Sequence, residues 1–352
     1  MKYHRLTEAH VFQAPGSLLN LPMLRISRDG SVRGNSEPYR DYQMKYGSVC
    51  SGIEAATVAW RSLGWLPVWF AEIDPYCCSL LQHHYPEVSN LGNITTIKDP
   101  PAIDVLVGGT PCQSFSINGF RAGLDDARGQ LTLRFCELAG QLCPRWIVWE
   151  NVPNVLHVDG GRAFGAFTGL LAKFGYHLAY RILDLQYFGI PQRRRRLFVV
   201  GHSGDWRCAA AVLFDSPPRS ETAQAARKAP QSQEDYPFSS LDGACLGWTG
   251  DTTPKFAIDR IPTLRSQQGG EGVGIIDRQR FRRLTVSEWE RLMGFPDGYT
   301  AINVEGKPAS DRMRRHALGN TFPVPVVRWI GQRIDIIEQI AMNPPDQARP
   351  LD

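Results

Sequence analysis

The sequence predicts an α/β protein: a doubly wound, mostly parallel sheet accompanied by a smaller, loop-rich domain. Three observations carry this expectation. Short apolar runs that read as strands alternate with helical ones from Tyr46 to Gly201. The first unit runs strand (Tyr46–Cys50), tight turn (Ser51-Gly52), helix (Glu54–Leu63), strand (Pro67–Ala71), and ends on Glu72. Three reactive side chains, Glu72, Cys112 and Glu150, then fall at or just past the carboxyl ends of expected strands, the rim where such sheets bind ligands.

Composition bounds the rest. With 352 residues, 43% of them hydrophobic, the chain can bury one large or two medium cores. The formal charge of +4 permits a polyanionic partner without requiring one. Its 8 cysteines form no C-x-x-C pair and show no Cys/His ligand spacing, so neither a metal site nor a disulfide framework is expected. No signal peptide and no membrane-spanning apolar run is read. A soluble, cytoplasmic, monomeric protein with reduced thiols is the expectation.

Residues 1–44 are rich in turn formers without a period and read as a partly disordered extension. In the expected catalytic domain, 45–203, the units continue through a helix at Pro75–His84, a connection at Asn93-Ile94 and a strand at Ile103–Val107. That strand breaks at Gly108-Gly109 and opens into a long polar, glycine-rich stretch. Such a stretch is oversized for a structural connection and suited to an active-site loop. A helix at Leu131–Leu142, a strand at Arg145–Trp149, a helix near Phe164–Phe174 and strands within His177–Leu185 and Leu197–Gly201 complete the domain. From 204 to 311 the pattern dissolves into Pro, Ser, Gln and Gly with short apolar patches, read as the small domain. Within it, Thr285-Val-Ser-Glu288 is a capping box whose helix stops at Gly294, before Pro296. The C-terminal segment, 312–352, carries an amphipathic helix at about Val324–Ile340 suited to packing back on the catalytic domain.

The turn after the first strand has one glycine, which suits an adenosine ligand without phosphates better than a dinucleotide, with Glu72 placed to reach ribose hydroxyls. Cys112, taken alone, could be an ordinary buried thiol. A thiol, a carboxyl group and the run Arg193–Arg196 together suit a more specific reaction. A thiolate can add to C6 of a pyrimidine if a carboxyl group takes up the charge at N3 and a guanidinium steadies O2. C5 then becomes nucleophilic enough to accept a methyl group, and loss of its proton with expulsion of the thiol frees the product.

Gly109-Thr-Pro-Cys-Gln113, Glu150-Asn151-Val152 and Gln192-Arg193-Arg194-Arg195-Arg196 occur in that order, and on these motifs the chain resembles the DNA (cytosine-5) methyltransferases of bacterial and phage type from about Tyr46 to Ile330. The resemblance implies a Rossmann-like, S-adenosyl-L-methionine-dependent methyltransferase fold and a target-recognition role for the small domain. It gives Cys112 the nucleophile's role and Glu150 the contact to cytosine N3 and the exocyclic amine. Arg194 is expected near the base and nucleophile, with Arg196 as support. For the cofactor it implies Cys50, Ser51, Gly52, Ile53 and Glu54 near the methionine, and Glu72 with Ile73 at the ribose. Asn93 stands where the family has an aspartate toward the adenine amine, its amide oxygen a substitute acceptor beside Ile94, while Pro111, Leu131 and Asn320 complete the pocket. Two further departures stand out: Glu54-Ala55 where the family has glycines, and Thr321-Phe322 where Ser-Val is common.

Because the target atom is buried in a duplex, the family flips the base out and closes a loop over it. Here that loop is about 114–130, with Gln113, Ser116, Asn118, Arg121 and Arg128 expected at double-stranded DNA, and Arg278, Arg280, Arg282 and Arg283 expected to meet phosphates or guanines from the small domain. Alternatives are a tRNA cytosine-C5 methyltransferase of the same family, a catalytically silent DNA-binding homologue and a nucleotide-dependent oxidoreductase. The length of chain between Gly201 and Arg278 favours DNA over tRNA. The joint presence of Cys112, Glu150 and Arg194 speaks against a silent homologue, and the single-glycine turn against the oxidoreductase.

Overall fold

The computed structural model describes residues 43–111, 127–214, 245–248, 255–257, 261–265, 272–277 and 280–342. The expected extension and most of the expected catalytic loop, Cys112 included, lie outside the described residues. In chain order the large sheet is built from β1 (Lys45–Val49), α1 (Ala55–Trp60), β2 (Leu66–Ala71), α2 (Pro75–His84), β3 (Ser89–Asn90), β4 (Val105–Gly108), α3 (Ala127–Leu142), β5 (Trp146–Asn151), α4 (Arg162–Lys173), β6 (His177–Asp184) and β7 (Arg195–His202). These are followed by α5 (Trp206–Phe214), β8 (Cys245–Trp248), β9 (Lys255–Ala257), β10 (Gly272–Asp277), β11 (Arg280–Arg283) and α6 (Val286–Met293). Last come β12 (Asn303–Val304), β13 (Lys307–Pro308), α7 (Asp311–Asn320) and α8 (Val324–Met342).

The large sheet has the order β3-β2-β1-β4-β5-β7-β6. Strands β1 to β5 pair in parallel, and β7 runs antiparallel to both β5 and β6. The mostly parallel sheet expected from the alternation is therefore present, with a reversed strand that alternation alone does not reveal. Its central strands are buried on both faces, which is why Val105–Val107 and Ile147–Trp149 are unbroken apolar runs. The strand order turns back between β1 and β4, and the crevice at their carboxyl ends is where this topology puts a ligand. One face of the sheet packs on α1, α5 and α8, the other on α3 and α4.

The second sheet is antiparallel, β11-β10-β8-β9, where the sequence shows short apolar patches among turn formers. Three boundaries differ from expectation. Helix α3 starts at Ala127, four positions before the expected Leu131, because its first turn is polar and carries no apolar period. The stretch read as an apolar patch of the small domain forms helix α5 and packs on the large sheet instead: Ala209, Val212 and Leu213 are buried and Arg181 Nη1 donates to Leu213 O at 2.7 Å. The end of the large domain thus moves from 203 to Phe214. Residues 299–302 also sit on the large domain, since Tyr299 Oη donates to Ile53 O at 2.8 Å and Tyr76 Oη to Thr300 O at 2.7 Å. The capping box forms as expected, Glu288 N donating to Thr285 Oγ1 and Thr285 N to Glu288 Oε2, and Gly294 ends the helix at φ 84.

Candidate active site

The turn after β1 is shaped by the side chains it carries. Cys50 leaves the strand with φ 50, and Ser51 Oγ donates to Ser48 O at 2.9 Å and accepts from Ala71 N at 3.2 Å, pinning the turn to β2. Gly52 has φ 55, a conformation that L side chains rarely adopt, and a methyl group there would meet nothing within 4 Å. Its N–H donates to Glu72 Oε2 at 2.7 Å, while Ile73 N and Asp74 N each donate to Oε1 at 2.8 Å. Main-chain donors thus fix the Glu72 carboxylate at the rim and leave lone-pair capacity for a further donor such as a ribose hydroxyl. Beside it Ile73 is 67% exposed, an apolar side chain left uncovered at the crevice. Open space at Gly52, an acceptor at Glu72 and an apolar platform at Ile73 fit the ribose and base of S-adenosylmethionine.

Ile53 is fully buried, and Glu54 is the unusual member of the turn. It is buried at φ 59 and caps α1, its Oε1 accepting from Thr57 N and Thr57 Oγ1 at 3.2 Å each, while Oε2 is buried with no partner. Burial pushes its carboxyl up to about 7, against the pull of the nearby Ser48 hydroxyl and the Thr57 hydrogen bonds. Asn93 behaves differently from the expected adenine acceptor. Its Oδ1 accepts from Thr95 N at 3.0 Å and Thr95 Oγ1 at 2.9 Å, so the turn uses up the acceptor and leaves the NH2 group outward. Ile94 is buried behind it, Leu131 is half-buried and Pro111 is exposed. Asn320 ends α7 with its Nδ2 3.2 Å from His316 Nε2.

The other half of the rim is β4, β5 and β7. Thr110 Oγ1 accepts from Trp149 Nε1 at 3.0 Å and lies 2.7 Å from Thr132 Oγ1, and Thr110 O accepts from Asn151 Nδ2 at 2.9 Å. Asn151 therefore clamps the chain two residues before Cys112 to the end of β5. Glu150, buried beside it, pairs through Oε1 with Arg196 Nε at 3.0 Å. Burial raises its carboxyl above the ordinary value, and the Arg196 and Arg194 guanidiniums draw it part of the way back. A carboxyl shifted this way gives up its proton less readily than an ordinary one and still stands against positive charge.

The arginine run alternates with the strand period. Arg193 and Arg195 are exposed, whereas Gln192 and Arg194 are buried and Arg196 is nearly so. Arg194 does not reach Glu150 by a hydrogen bond: Nη1 donates to Leu264 O at 2.7 Å, and Nη2 to Gly319 O at 3.0 Å and Thr321 O at 2.8 Å. Gln192 Nε2 likewise donates to Leu292 O at 2.7 Å. Of the two arginines singled out from sequence, Arg196 is the one that contacts the carboxyl group, and Arg194 joins three chain segments. The period-2 spacing of the run held that signal once Arg195–His202 is known to be a strand. Asn151, Thr110 and Thr132 were not singled out from the sequence, because each acts on main chain or on another small polar group.

Among the expected DNA contacts, Gln113, Ser116, Asn118, Arg121 and Arg278 lie outside the described residues, and only the helical or strand backbone is described at Arg128 and Arg280. Arg283 is exposed. Arg282 donates to Glu288 Oε2 at 2.9 Å and Oε1 at 2.8 Å, so its guanidinium is already paired within the protein. Among the described residues no cluster of three His, Cys, Asp or Glu side chains is arranged to hold a metal, and no helix is long and apolar enough to cross a membrane.

Comparison with known proteins bears on this geometry. A family model described as C-5 cytosine-specific DNA methylase matches residues 44–242 and 218–335. A protein of Escherichia phage P1 named DNA N-6-adenine-methyltransferase is 31% identical over 83% of this chain, which spans 61% of that protein's length. The type II methyltransferase M2.BsuMI of Bacillus subtilis strain 168 is 29% identical over 83% of this chain and 75% of its own length. Among solved structures, the S. pombe Dnmt2 methyltransferase superposes with a TM-score of 0.58 at 19% identity, covering 86% of this chain and 100% of that one. A putative DNA modification methyltransferase of an E. coli prophage gives 0.59 at 17%, covering 85% and 100%. At those identities the structural likeness speaks for the fold, whereas the family model runs through both sheets and both halves of the rim: the chain belongs to the family of C-5 cytosine-specific DNA methylases.

Proposed function

We propose that the protein methylates C5 of cytosine in double-stranded DNA, with Cys112 adding to C6 of a base turned out of the helix. The observation that carries this reading is the Glu150–Arg196 pair at the end of β5, next to the clamped Thr110 that leads into Pro111 and Cys112. The Glu150 carboxyl group, shifted upward by burial, donates a proton to ring N3 as the Cys112 thiolate bonds to C6. The C5–C6 electron pair then becomes available at C5. Arg196, fixed on Glu150, steadies the ring oxygen and keeps the carboxyl oriented. S-adenosylmethionine, when bound, supplies an electrophilic methyl group. Glu72 would hold its ribose, Ile73 its adenine, and the Cys50–Glu54 turn its methionine end; Asn93 would offer N–H rather than an acceptor to the adenine edge. After transfer, water takes the C5 proton, the double bond reforms with expulsion of the Cys112 sulfur as thiolate, and N3 returns its proton to Glu150.

The phage P1 relative bears an adenine-N6 name. Transfer to an exocyclic amine needs no addition to the ring, so a thiol after Thr110-Pro111 and a buried carboxyl–guanidinium pair would have no task there. That chemistry favours cytosine C5. The small domain, with Arg278, Arg280 and Arg283, and the stretch holding Gln113, Ser116, Asn118, Arg121 and Arg128 would meet the DNA.

Bisulfite sequencing of DNA from cells expressing the protein tests activity and target together, with protected cytosines expected within one recurring sequence. Duplexes carrying 5-fluorocytosine at that position should trap the protein through Cys112, since fluorine blocks the final elimination. No protected cytosine, or an adduct mapped by mass spectrometry to another cysteine, would overturn the proposal.

A further inference from the structure

Glu150 is asymmetric in its surroundings. Oε1 is paired with Arg196, and no hydrogen bond to Oε2 occurs among the described residues. What lies near Oε2 is revealed by Gly109, the residue that carries β4 toward the nucleophile. A methyl group built on Gly109 would lie 2.6 Å from the ring of Phe322, at Cε1, and 3.3 Å from Glu150 Oε2. The ring edge and the free carboxyl oxygen therefore flank the same bare stretch of backbone. The main chain on either side of the ring is held in place: before it, Arg194 grips the carbonyls of Gly319 and Thr321 and Thr321 N donates to Ala317 O at 3.1 Å, and after it Val326 N donates to Pro323 O at 3.1 Å. Phe322 is half-buried and packs on the core that includes Val324 and Leu318. A phenylalanine here is the departure noted from the sequence, and the structure puts its ring and the acid beside the same bare glycine.

We propose that Phe322 is a positioning residue of the reaction: its ring stands beside the oxygen of Glu150 that has no hydrogen bond among the described residues, limits how much water reaches it, and forms one wall of the space that receives the extruded pyrimidine. This inference rests on the function proposed above. Among the described residues, the charged groups facing Glu150 are Arg196 and Arg194, both from the β7 side, and β4 and the Phe322 segment bring uncharged ones. The shield that can be removed there is therefore apolar. Removing it admits water, stabilises the carboxylate and weakens Glu150 as a proton donor at neutral pH. Gly109 belongs to the same arrangement, since any side chain there would displace either the ring or the carboxyl group.

The test uses the full chain and a duplex carrying the sequence found by bisulfite mapping. Phe322→Ala is expected to lower kcat by about tenfold while KM for DNA stays within about twofold, the size of effect a weakened general acid produces. The falling, alkaline limb of its rate–pH profile should move to lower pH, because Glu150 would lose its proton earlier. Phe322→Leu, which keeps apolar bulk, should keep the limb where the wild type has it, and Phe322→Val should fall between. If Phe322→Ala does not fold, the Leu and Val variants carry the same comparison. A fall in kcat with the alkaline limb unmoved, or Leu and Ala variants that behave alike, would overturn the inference and leave the function standing. A wild-type chain that methylates no cytosine would overturn the function, and this inference with it.

Discussion

At the scale of single residues, the rim is made of acids in different states, and the surroundings set each one. Glu72 accepts main-chain N–H groups at the surface; Glu150 is buried but guanidinium-paired; Glu54 is buried with one oxygen unpartnered. For Glu54 the consequence can be measured. Its carboxyl rises from an ordinary 4.5 to about 7 on folding, so between those values the folded protein holds a proton that the unfolded chain has released. Stability from this group is full below the lower value and is lost as pH rises through the upper one. Thermal melts of Glu54→Gln should show a flatter dependence than wild type across that window, and parallel curves would contradict the assignment. Cys112→Ser should abolish methyl transfer while gel-shift and cofactor-binding affinities persist, since the hydroxyl is too weakly acidic to add to the ring. Retained turnover would remove Cys112 from the mechanism. Gly109→Ala places a methyl group 2.6 Å from the Phe322 ring and should cost about 1–3 kcal/mol in urea denaturation, with a larger loss in turnover than in DNA affinity.

At the scale of elements, local signals foretold most of what is seen. Pro75–His84 is a helix with the expected limits because Asp74 caps it, accepting from Cys77 N at 2.9 Å, and Pro75 opens it. The capping box of α6 was equally plain. Thr285→Ala removes the acceptor for Glu288 N and should lower stability by about 1 kcal/mol, visible as a shifted denaturation midpoint with an unchanged slope. Helix α7 was missed, and for a physical reason: Asp311–Asn320 is mostly polar, with only Ala317, Leu318 and Gly319 buried, so it has a cap at Ser310 but scarcely an apolar face. The antiparallel direction of β7 was likewise invisible. A strand's sequence reports which faces are buried but not which neighbour it pairs with.

At the scale of the molecule, Arg194 is where distant parts of the chain meet. Its guanidinium holds Leu264 from the segment after β9 and Gly319 and Thr321 at the end of α7, while the strand it leads into, β7, pairs with β5 at Glu150. Helix α8 makes a second return, Trp60 Nε1 donating to Val327 O at 2.9 Å. Replacing Arg194 with Met would strand three buried carbonyls, and a loss of about 3 kcal/mol or more is expected in denaturant titration. Arg196→Met should instead spare stability largely and act on turnover, because its partner is the reacting carboxyl group. Equal stability losses in the two variants would refute this division between Arg194 and Arg196.

By itself the sequence determined the class of sheet, the rim positions of Glu72 and Glu150, the motif that carries Cys112 and the family resemblance, because these depend on local period and short-range spacing. Tertiary structure alone decided which arginine of the run faces the acid, that Arg282 is already paired, that the acceptor of Asn93 is taken, and that Phe322 lies against Gly109. Those outcomes depend on strand direction and on contacts between residues a hundred or more positions apart or across a turn, and no local pattern encodes which buried polar group will find which partner.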